Sequence, residues 1–157
     1  MRQEANRRAV IATFSKEDVH DIFDMRILLE SEAARRASTR MDRQTLQRLK
    51  GIGETLAATQ NRPDWVARWA DFDEEFHDSI ARTSGSQRMW QDIGRYRLLH
   101  RGFNKMVTTV EVLIQALHEH QAILDALEAR DPDRAAAAMA THIREWQAYF
   151  VNHLPPR

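Results

Sequence analysis

Apolar residues recur every three or four positions along most of the chain, the spacing that places side chains on one side of an α-helix. The second helix shows it plainly, with Leu46, Leu49, Ile52 and Leu56 in register. This periodicity predicts six helices, at about residues 16–40, 42–59, 63–84, 86–107, 110–129 and 132–153. Six amphipathic helices with short connections are typical of an all-α antiparallel bundle of six or seven helices.

Polar residues at the predicted helix ends support these boundaries. Ser15 is followed three residues later by Asp18, which resembles a capping box. Gly85 provides a stop after the third helix, and Pro132 suits the first turn of the sixth. Residues 1–15, "MRQEANRRAVIATFS", differ from the rest, because "AVIATF" favours an extended strand.

Several of the apolar stripes carry ionisable side chains near the middle of the helix. Asp73 and His77 are four residues apart and share a face of the third helix. His120 interrupts the apolar stripe of the fifth helix, and His142 that of the sixth. His118 lies off the stripe and is expected to be solvated. Burying imidazoles and a carboxylate without partners is costly, so these positions need a physical reason.

Mid-helix positions on neighbouring helices of a bundle can meet, which would gather Asp73, His77, His120 and His142 in one place. Three imidazoles and one carboxylate suit a divalent transition metal, zinc first, with nickel, iron or manganese as alternatives. Two simpler interpretations stay open at this point. A buried histidine is often a hydrogen-bonded core residue, and an Asp–His pair at this spacing is often a local hydrogen bond.

Composition narrows the possible function classes. The chain is 43% hydrophobic and 29% charged, with only 5 Gly and 4 Pro, which is typical of a soluble, helical globular protein. The formal net charge is zero, so there is no global attraction to nucleic acid or to an anionic membrane. The absence of cysteine leaves His, Asp and Glu as metal ligands. No apolar run approaches membrane-spanning length and no signal peptide opens the chain, so a cytoplasmic location is expected.

Three segments carry a resemblance to a known family. They are "DIFDMRILLESEAARRAS" at 21–38, "DEEFHDSIARTSGS" at 73–86 and "EHQAILDALEARDPDRAAAAMATHI" at 119–143. In this order and spacing they resemble the FCD domain, the C-terminal effector-binding domain of FadR-type transcription regulators in the GntR family. The resemblance covers residues 16–153. One departure is Ser86, where asparagine is usual, which affects a turn and none of the predicted ligands.

The resemblance implies a division of the chain and a metal site. Residues 16–157 would form the helical ligand-binding domain, and residues 1–15 would be the end of the wing and the linker of a preceding winged helix-turn-helix domain. This chain alone is therefore not expected to bind DNA. By the same likeness the metal ligands are Asp73, His77 and, on the last two helices, His120 and His142. A homodimer is also expected.

The resemblance further implies a small organic acid as effector, and no enzymatic activity. We expect the acid to occupy open metal positions and an arginine to hold its other end. Arg26 is the first candidate and Arg97 the second. The alternatives are an ordinary ion pair of Arg26 with Glu30 and a solvated Arg97. A metal-dependent hydrolase or oxygenase is the rival function, and a structural module with buried histidines is the third.

Overall fold

Six α-helices follow one another in the computed structural model, which describes residues 15–154, with side chains for all of these except 100 and 102–107. Within this part of the chain no strand is present. The predicted all-α fold is confirmed, and every predicted boundary lies within two residues of the observed one. The helices are α1 (Lys16–Arg40), α2 (Arg43–Ala58), α3 (Trp65–Thr83), α4 (Gln87–Val107), α5 (Val110–Glu128) and α6 (Pro132–His153).

Short polar side chains begin nearly all of these helices by accepting a hydrogen bond from a backbone N–H of the first turn. Ser15 and Asp18 form a reciprocal capping box at the start of α1, as predicted. Gly85 follows α3 with a φ of 80°, a left-handed conformation that glycine adopts without steric cost. Like Ser15 in α1, a side chain caps the start of four other helices. Asp42 caps α2, Ser86 caps α4, Thr109 caps α5 and Asp131 caps α6.

Helix α1 is the central element of the bundle. It packs most extensively against α6, and it also contacts α3, α4 and α5. Helix α5 in turn packs against α6 and α2. Helix α1 therefore contacts all three helices that carry the predicted metal ligands, namely α3, α5 and α6.

The register of α1 differs from the prediction in one respect. The apolar residues of this helix predict that Leu28 lies on the inner side with Val19 and Phe23, but Leu28 is 65% exposed. Arg26 and Glu30 are buried instead, on the same face as Val19 and Phe23. The stripe departs from the apolar pattern because this part of α1 faces ionisable side chains of α3, which require charged partners.

Two further points concern the limits of the described chain. The extended segment and the domain boundary predicted over residues 1–15 lie outside the described residues, apart from Ser15. Among the helices of residues 15–154, none is both long enough and apolar enough for a membrane span.

Candidate metal centre

Four side chains from three helices converge in the interior of the bundle. Asp73 and His77 come from α3, His120 from α5 and His142 from α6, and all four are buried. One ring nitrogen of each imidazole lies within 4.8 Å of the corresponding atoms of the other two. We call these residues the Asp–His cluster. Their predicted convergence is observed, and His118 is exposed, as expected for a residue off the stripe.

The orientation of His120 is determined by its backbone contact. Its Nδ1 lies 2.5 Å from the carbonyl oxygen of Ala116, which can only accept a hydrogen bond, so Nδ1 carries the proton. Its Nε2 lies 2.8 Å from Oδ1 of Asp73. In the neutral imidazole that nitrogen is also an acceptor. Two acceptors at this distance repel each other unless a proton or a metal ion lies between them.

Burial disfavours the proton in that position. Desolvation lowers the pKa of His120 below its usual value, although its contacts with Asp73 oppose this shift. Desolvation also lowers the pKa of His142 well below its usual value, and the neighbouring imidazoles of His120 and His77 lower it further. Neutral imidazoles are the form that binds metal ions.

The other two imidazoles have their Nδ1 atoms next to carboxylates. His77 Nδ1 lies 2.6 Å from Oε1 of Glu30, and His142 Nδ1 lies 2.7 Å from Oε1 of Glu119. An ionised carboxylate accepts the Nδ1 hydrogen and leaves Nε2 as the free acceptor. Metal-binding histidines commonly donate their second ring N–H to such an oxygen, which fixes the tautomer and the ring orientation.

The separations within the cluster fit ligands that share one ion. Asp73 Oδ1 is 2.8 Å from Nε2 of His120 and 3.4 Å from Nε2 of His77. Ligand atoms about 2.0–2.1 Å from zinc are about 2.9 Å apart at right angles and about 3.4 Å apart at the tetrahedral angle. These two separations fit a divalent transition metal, and the third imidazole, that of His142, lies within 4.8 Å of the ring nitrogens of His77 and His120.

Charged neighbours keep two of the carboxylates ionised. Burial alone would raise the pKa of Asp73, but the guanidinium of Arg97 holds it well below its usual range. Burial would likewise raise the pKa of Glu30, but Arg26 and His77 hold it below its usual range. Ionised carboxylates are the form in which both residues can serve a metal site.

Glu119 behaves differently from these two carboxylates. Burial, together with the nearby charge of Glu145, raises the pKa of Glu119 to about 7, against the effect of its hydrogen bond with Gln115. It therefore titrates near neutral pH, in contact with the ring of His142.

The two arginines predicted to hold an effector are both buried beside the cluster. Arg26 Nε donates to Oε2 of Glu30 at 2.7 Å, so the ion-pair alternative does form, and Nη1 has no partner among the residues that the structure describes. Arg97 is buried rather than solvated, and its Nη2 donates to Oδ2 of Asp73 at 3.1 Å. The ion pairs leave part of each guanidinium available, and effector binding by either residue stays a prediction.

Sequence reasoning did not identify the roles of Glu30 and Glu119 at the imidazoles. A signal for Glu30 exists, because it shares with Arg26 the core-facing side of α1 where apolar residues are expected. No comparable signal exists for Glu119, which precedes His120 and therefore points about 100° away from it around the helix.

A cleft of about 840 Å³ lies beside the cluster. Trp69, Asp73, Glu74 and Arg101 are among its lining residues. Of the four cluster residues only Asp73 lines the cleft, so a small molecule would approach the cluster from the side of this carboxylate.

Comparison with known proteins gives a family and a fold. The family model described as the FCD domain matches residues 21–145. The HTH-type transcriptional repressor GlaR of Escherichia coli (strain K12) is 26% identical over 144 residues, which cover 85% of this chain and 64% of the relative. The chain thus spans less than two thirds of the length of this curated relative.

Two solved structures are similar in fold. E. coli McbR/YncC superimposes with a TM-score of 0.76 at 19% sequence identity, over 90% of this chain and 68% of the other. Streptococcus agalactiae GntR superimposes with a TM-score of 0.61 at 23% identity, over 83% of this chain and 58% of the other. At these identities the likeness concerns the fold.

Proposed function

The chain belongs to the FCD domain family, and from this premise we propose that it is the effector-sensing domain of a FadR-type, GntR-family transcription regulator that binds a small organic acid at a divalent metal ion. Zinc is the first candidate for the ion. Asp73, His77, His120 and His142 would be its protein ligands.

One observation gives the strongest support for a bound metal ion. The acceptor lone pair of His120 Nε2 faces the ionised Oδ1 of Asp73 at 2.8 Å, with Nδ1 already committed to a carbonyl. A hydrogen-bonded structural core would place a donor opposite that carboxylate. A cation shared by both atoms would remove the repulsion, and the imidazoles of His77 and His142 each have a ring nitrogen within 4.8 Å of one of His120.

The effector is proposed to reach the ion through the cleft. A metal held by four protein atoms leaves one or two positions open when it is five- or six-coordinate, and it attracts a carboxylate there. Arg26, whose Nη1 lacks a partner within the described part of the chain, would donate to another oxygen of the acid. Arg97, in contact with Asp73, would be the second cation near the bound acid.

We further propose how sensing reaches DNA. The domain would work as a cytoplasmic homodimer, carrying DNA-binding winged-helix domains that lie outside residues 16–157. Effector binding would change the spacing of the paired DNA-binding domains. Met25 and Leu28, which are exposed on α1, support a subunit interface on this helix.

A sensor is favoured over a metal-dependent hydrolase or oxygenase by the neighbouring carboxylates. A hydrolase needs a general base within reach of the metal-bound water. Glu30 and Glu119 contact imidazole Nδ1 atoms. Glu74 forms ion pairs with Arg97 and Arg101. Among the described residues these carboxylates are therefore already engaged as partners of ligands or of arginines.

Removing the metal should destabilise the domain. Protein purified without chelators should contain about one transition-metal ion per chain, and prolonged chelation should lower Tm, because an ion bound only to the folded state stabilises it. Elemental analysis and thermal unfolding measure both quantities. Readdition of zinc to the chelated protein should restore Tm. A protein purified without metal whose Tm does not respond to any divalent transition metal would contradict the proposed site.

Changing Arg26 should weaken acid binding without releasing the metal. Arg26→Lys keeps a positive charge beside Glu30 but loses the planar, forked donor, so we expect acids to bind more weakly by about 1.5–3 kcal/mol, the value of a charge-assisted hydrogen bond. Calorimetric titration with a panel of carboxylates measures this difference. Arg36→Lys is the matched control, since Arg36 pairs with the half-exposed Glu32 on the same helix. Equal acid affinities in wild type and Arg26→Lys would exclude Arg26 as an effector ligand.

A further inference from the structure

A second cavity, of about 300 Å³, lies between α5 and α6. Residues between 112 and 119 of α5 and between 145 and 153 of α6 line it, and we call it the α5–α6 pocket. It shares no lining residue with the 840 Å³ cleft, and no member of the Asp–His cluster lines it. Its volume is at the lower end of the range of about 300–1,000 Å³ that is usual for small-molecule sites. The proposed function assigns no role to this pocket.

Negative charge dominates the lining of the α5–α6 pocket. Glu119 and Glu145 contribute carboxylates, and no Lys or Arg is among the described lining residues. The two carboxylates are close enough for the charge of Glu145 to contribute to the raised pKa of Glu119. At the 840 Å³ cleft, by contrast, the carboxylate of Glu74 is paired with Arg101. The α5–α6 pocket therefore differs from the cleft in having two acids and no basic side chain to balance them.

Two aromatic rings form an apolar wall beside these carboxylates. Trp146 and Tyr149 both line the pocket, with ring centroids 5.9 Å apart and planes at 84° to each other. Trp146 is buried and stacks on Phe150 with ring centroids 5.3 Å apart, so the core holds this wall in place. The face of an aromatic ring attracts cations through its quadrupole. Aromatic faces next to carboxylates are therefore suited to a ligand that is cationic at one end and apolar at the other.

The polar atoms of the pocket also offer acceptors for a donor. Oε2 of Glu119 receives a hydrogen bond of 3.3 Å from Gln115, longer than the usual range, and a carboxylate oxygen can accept a second one. Nδ1 of His153 lies 2.7 Å from the carbonyl oxygen of Tyr149 and donates to it, which leaves Nε2 of the neutral ring as an acceptor. A ligand with several N–H donors matches these acceptors.

We propose that the α5–α6 pocket binds a small primary alkylammonium ion. The ammonium group would donate to Glu119 and Glu145, and the alkyl chain would lie against Trp146 and Tyr149. An anion would be repelled by the two carboxylates, and a bare metal ion would gain nothing from the apolar part of the wall. This inference goes beyond the proposed function and does not rest on it, because the pocket is lined by none of the proposed metal ligands.

The ligand class is tested by titrating butylammonium into the protein at pH 8 and following the backbone amide signals by NMR. Two matched compounds are titrated in parallel. 1-Butanol has the same alkyl chain without the charge, and tetramethylammonium has the charge without N–H donors. We expect butylammonium to bind about tenfold more tightly than either, the scale of one charge-assisted hydrogen bond, with saturable shifts at residues 145–153.

Three results would overturn the inference and leave the proposed function intact. One is the absence of saturable shifts with butylammonium. Another is equal binding of 1-butanol or tetramethylammonium, which would mean that the charge or the N–H donors do not matter. The third is a set of shifts confined to the surroundings of the Asp–His cluster, which would place the ammonium ion there instead.

Reversing the charge of Glu145 should weaken binding of butylammonium. Glu145 is exposed on α6, so Glu145→Lys is expected to fold, and it replaces an attractive charge by a repulsive one. We expect affinity to fall about tenfold. Glu54→Lys is the matched control, because Glu54 is exposed on α2, lines neither the cleft nor the α5–α6 pocket, and changes the net charge by the same amount. Wild-type affinity in Glu145→Lys, or an equal loss in both variants, overturns the site.

The aromatic wall is tested by Tyr149→Leu, which keeps an apolar side chain but removes the ring. We expect butylammonium to bind about two- to fivefold more weakly, the scale of a cation–π contact at an exposed site, and 1-butanol to be unaffected. Tyr96→Leu on α4 is the control, since Tyr96 does not line the pocket. Wild-type affinity for butylammonium in Tyr149→Leu overturns this contact. If Tyr149→Leu does not fold, nuclear Overhauser effects between the butyl protons and the Tyr149 ring in the wild type decide, and their absence overturns it.

Discussion

Replacing His120 by alanine should reduce the metal content of the purified protein from about one ion per chain to nearly none. His120 is fully buried, its Nδ1 is held by Ala116, and its Nε2 points at Asp73, so no neighbouring side chain can take its place as a ligand. The same outcome is expected for His142→Ala. Elemental analysis after gel filtration, together with a competition titration against a chelator, measures the loss.

His118 provides the matched control for this experiment. It lies on the same helix, two residues from His120, but is exposed to solvent. His118→Ala should therefore retain metal like the wild type. Equal loss of metal in His118→Ala and His120→Ala would mean that metal binding does not depend on the buried histidines in particular. The proposed site would then be wrong.

Glu30→Ala should be among the most destabilising single substitutions in the domain. Glu30 accepts from Arg26 at 2.7 Å and contacts His77 at 2.6 Å, and all three side chains are buried. Removing the carboxylate leaves the guanidinium of Arg26 uncompensated in the interior. Breaking a buried pair in this way typically lowers the free energy of unfolding by about 3–5 kcal/mol. Urea unfolding in the presence of chelator measures the change without a contribution from bound metal.

Two further variants separate the structural effect of Glu30 from its effect on His77. Glu32→Ala removes a carboxylate from the same helix whose side chain is 40% exposed, and it should change stability by about 0–1 kcal/mol. Glu30→Gln keeps an oxygen that can accept the Nδ1 hydrogen of His77 but removes the negative charge of the carboxylate. We expect zinc affinity to fall about 10- to 100-fold in this variant. A Glu30→Ala protein as stable as Glu32→Ala would show that Arg26 and His77 find other partners.

The fold was predictable because its signals are local. Helical periodicity, the cap at Ser15 and the stop at Gly85 each act within one or two turns. A local signal is read correctly from the sequence whenever the tertiary environment does not oppose it. Leu28 is a position where this local prediction fails. Which side of α1 is buried depends on the groups that lie opposite it, and there the buried side chains include the charged Arg26 and Glu30.

The members of the Asp–His cluster were predictable for a related reason. Each ionisable side chain interrupts an apolar stripe, and the stripe is a property of a single helix. The pair Asp73 and His77 is also local, since residues four apart lie on one face. That these residues face the interior could therefore be deduced helix by helix, before any contact between helices was known.

By itself, then, the sequence determined six helices, their ends, and which helices carry inward-facing ligand candidates. The tertiary structure alone decided that Nε2 of His120 faces Oδ1 of Asp73, and that Glu30 and Glu119 hold the remaining imidazoles. The physical reason is that periodicity specifies the direction of a side chain around its own helix axis. Which atoms of residues 47 positions apart, such as Asp73 and His120, come within hydrogen-bond distance depends on how the helices pack.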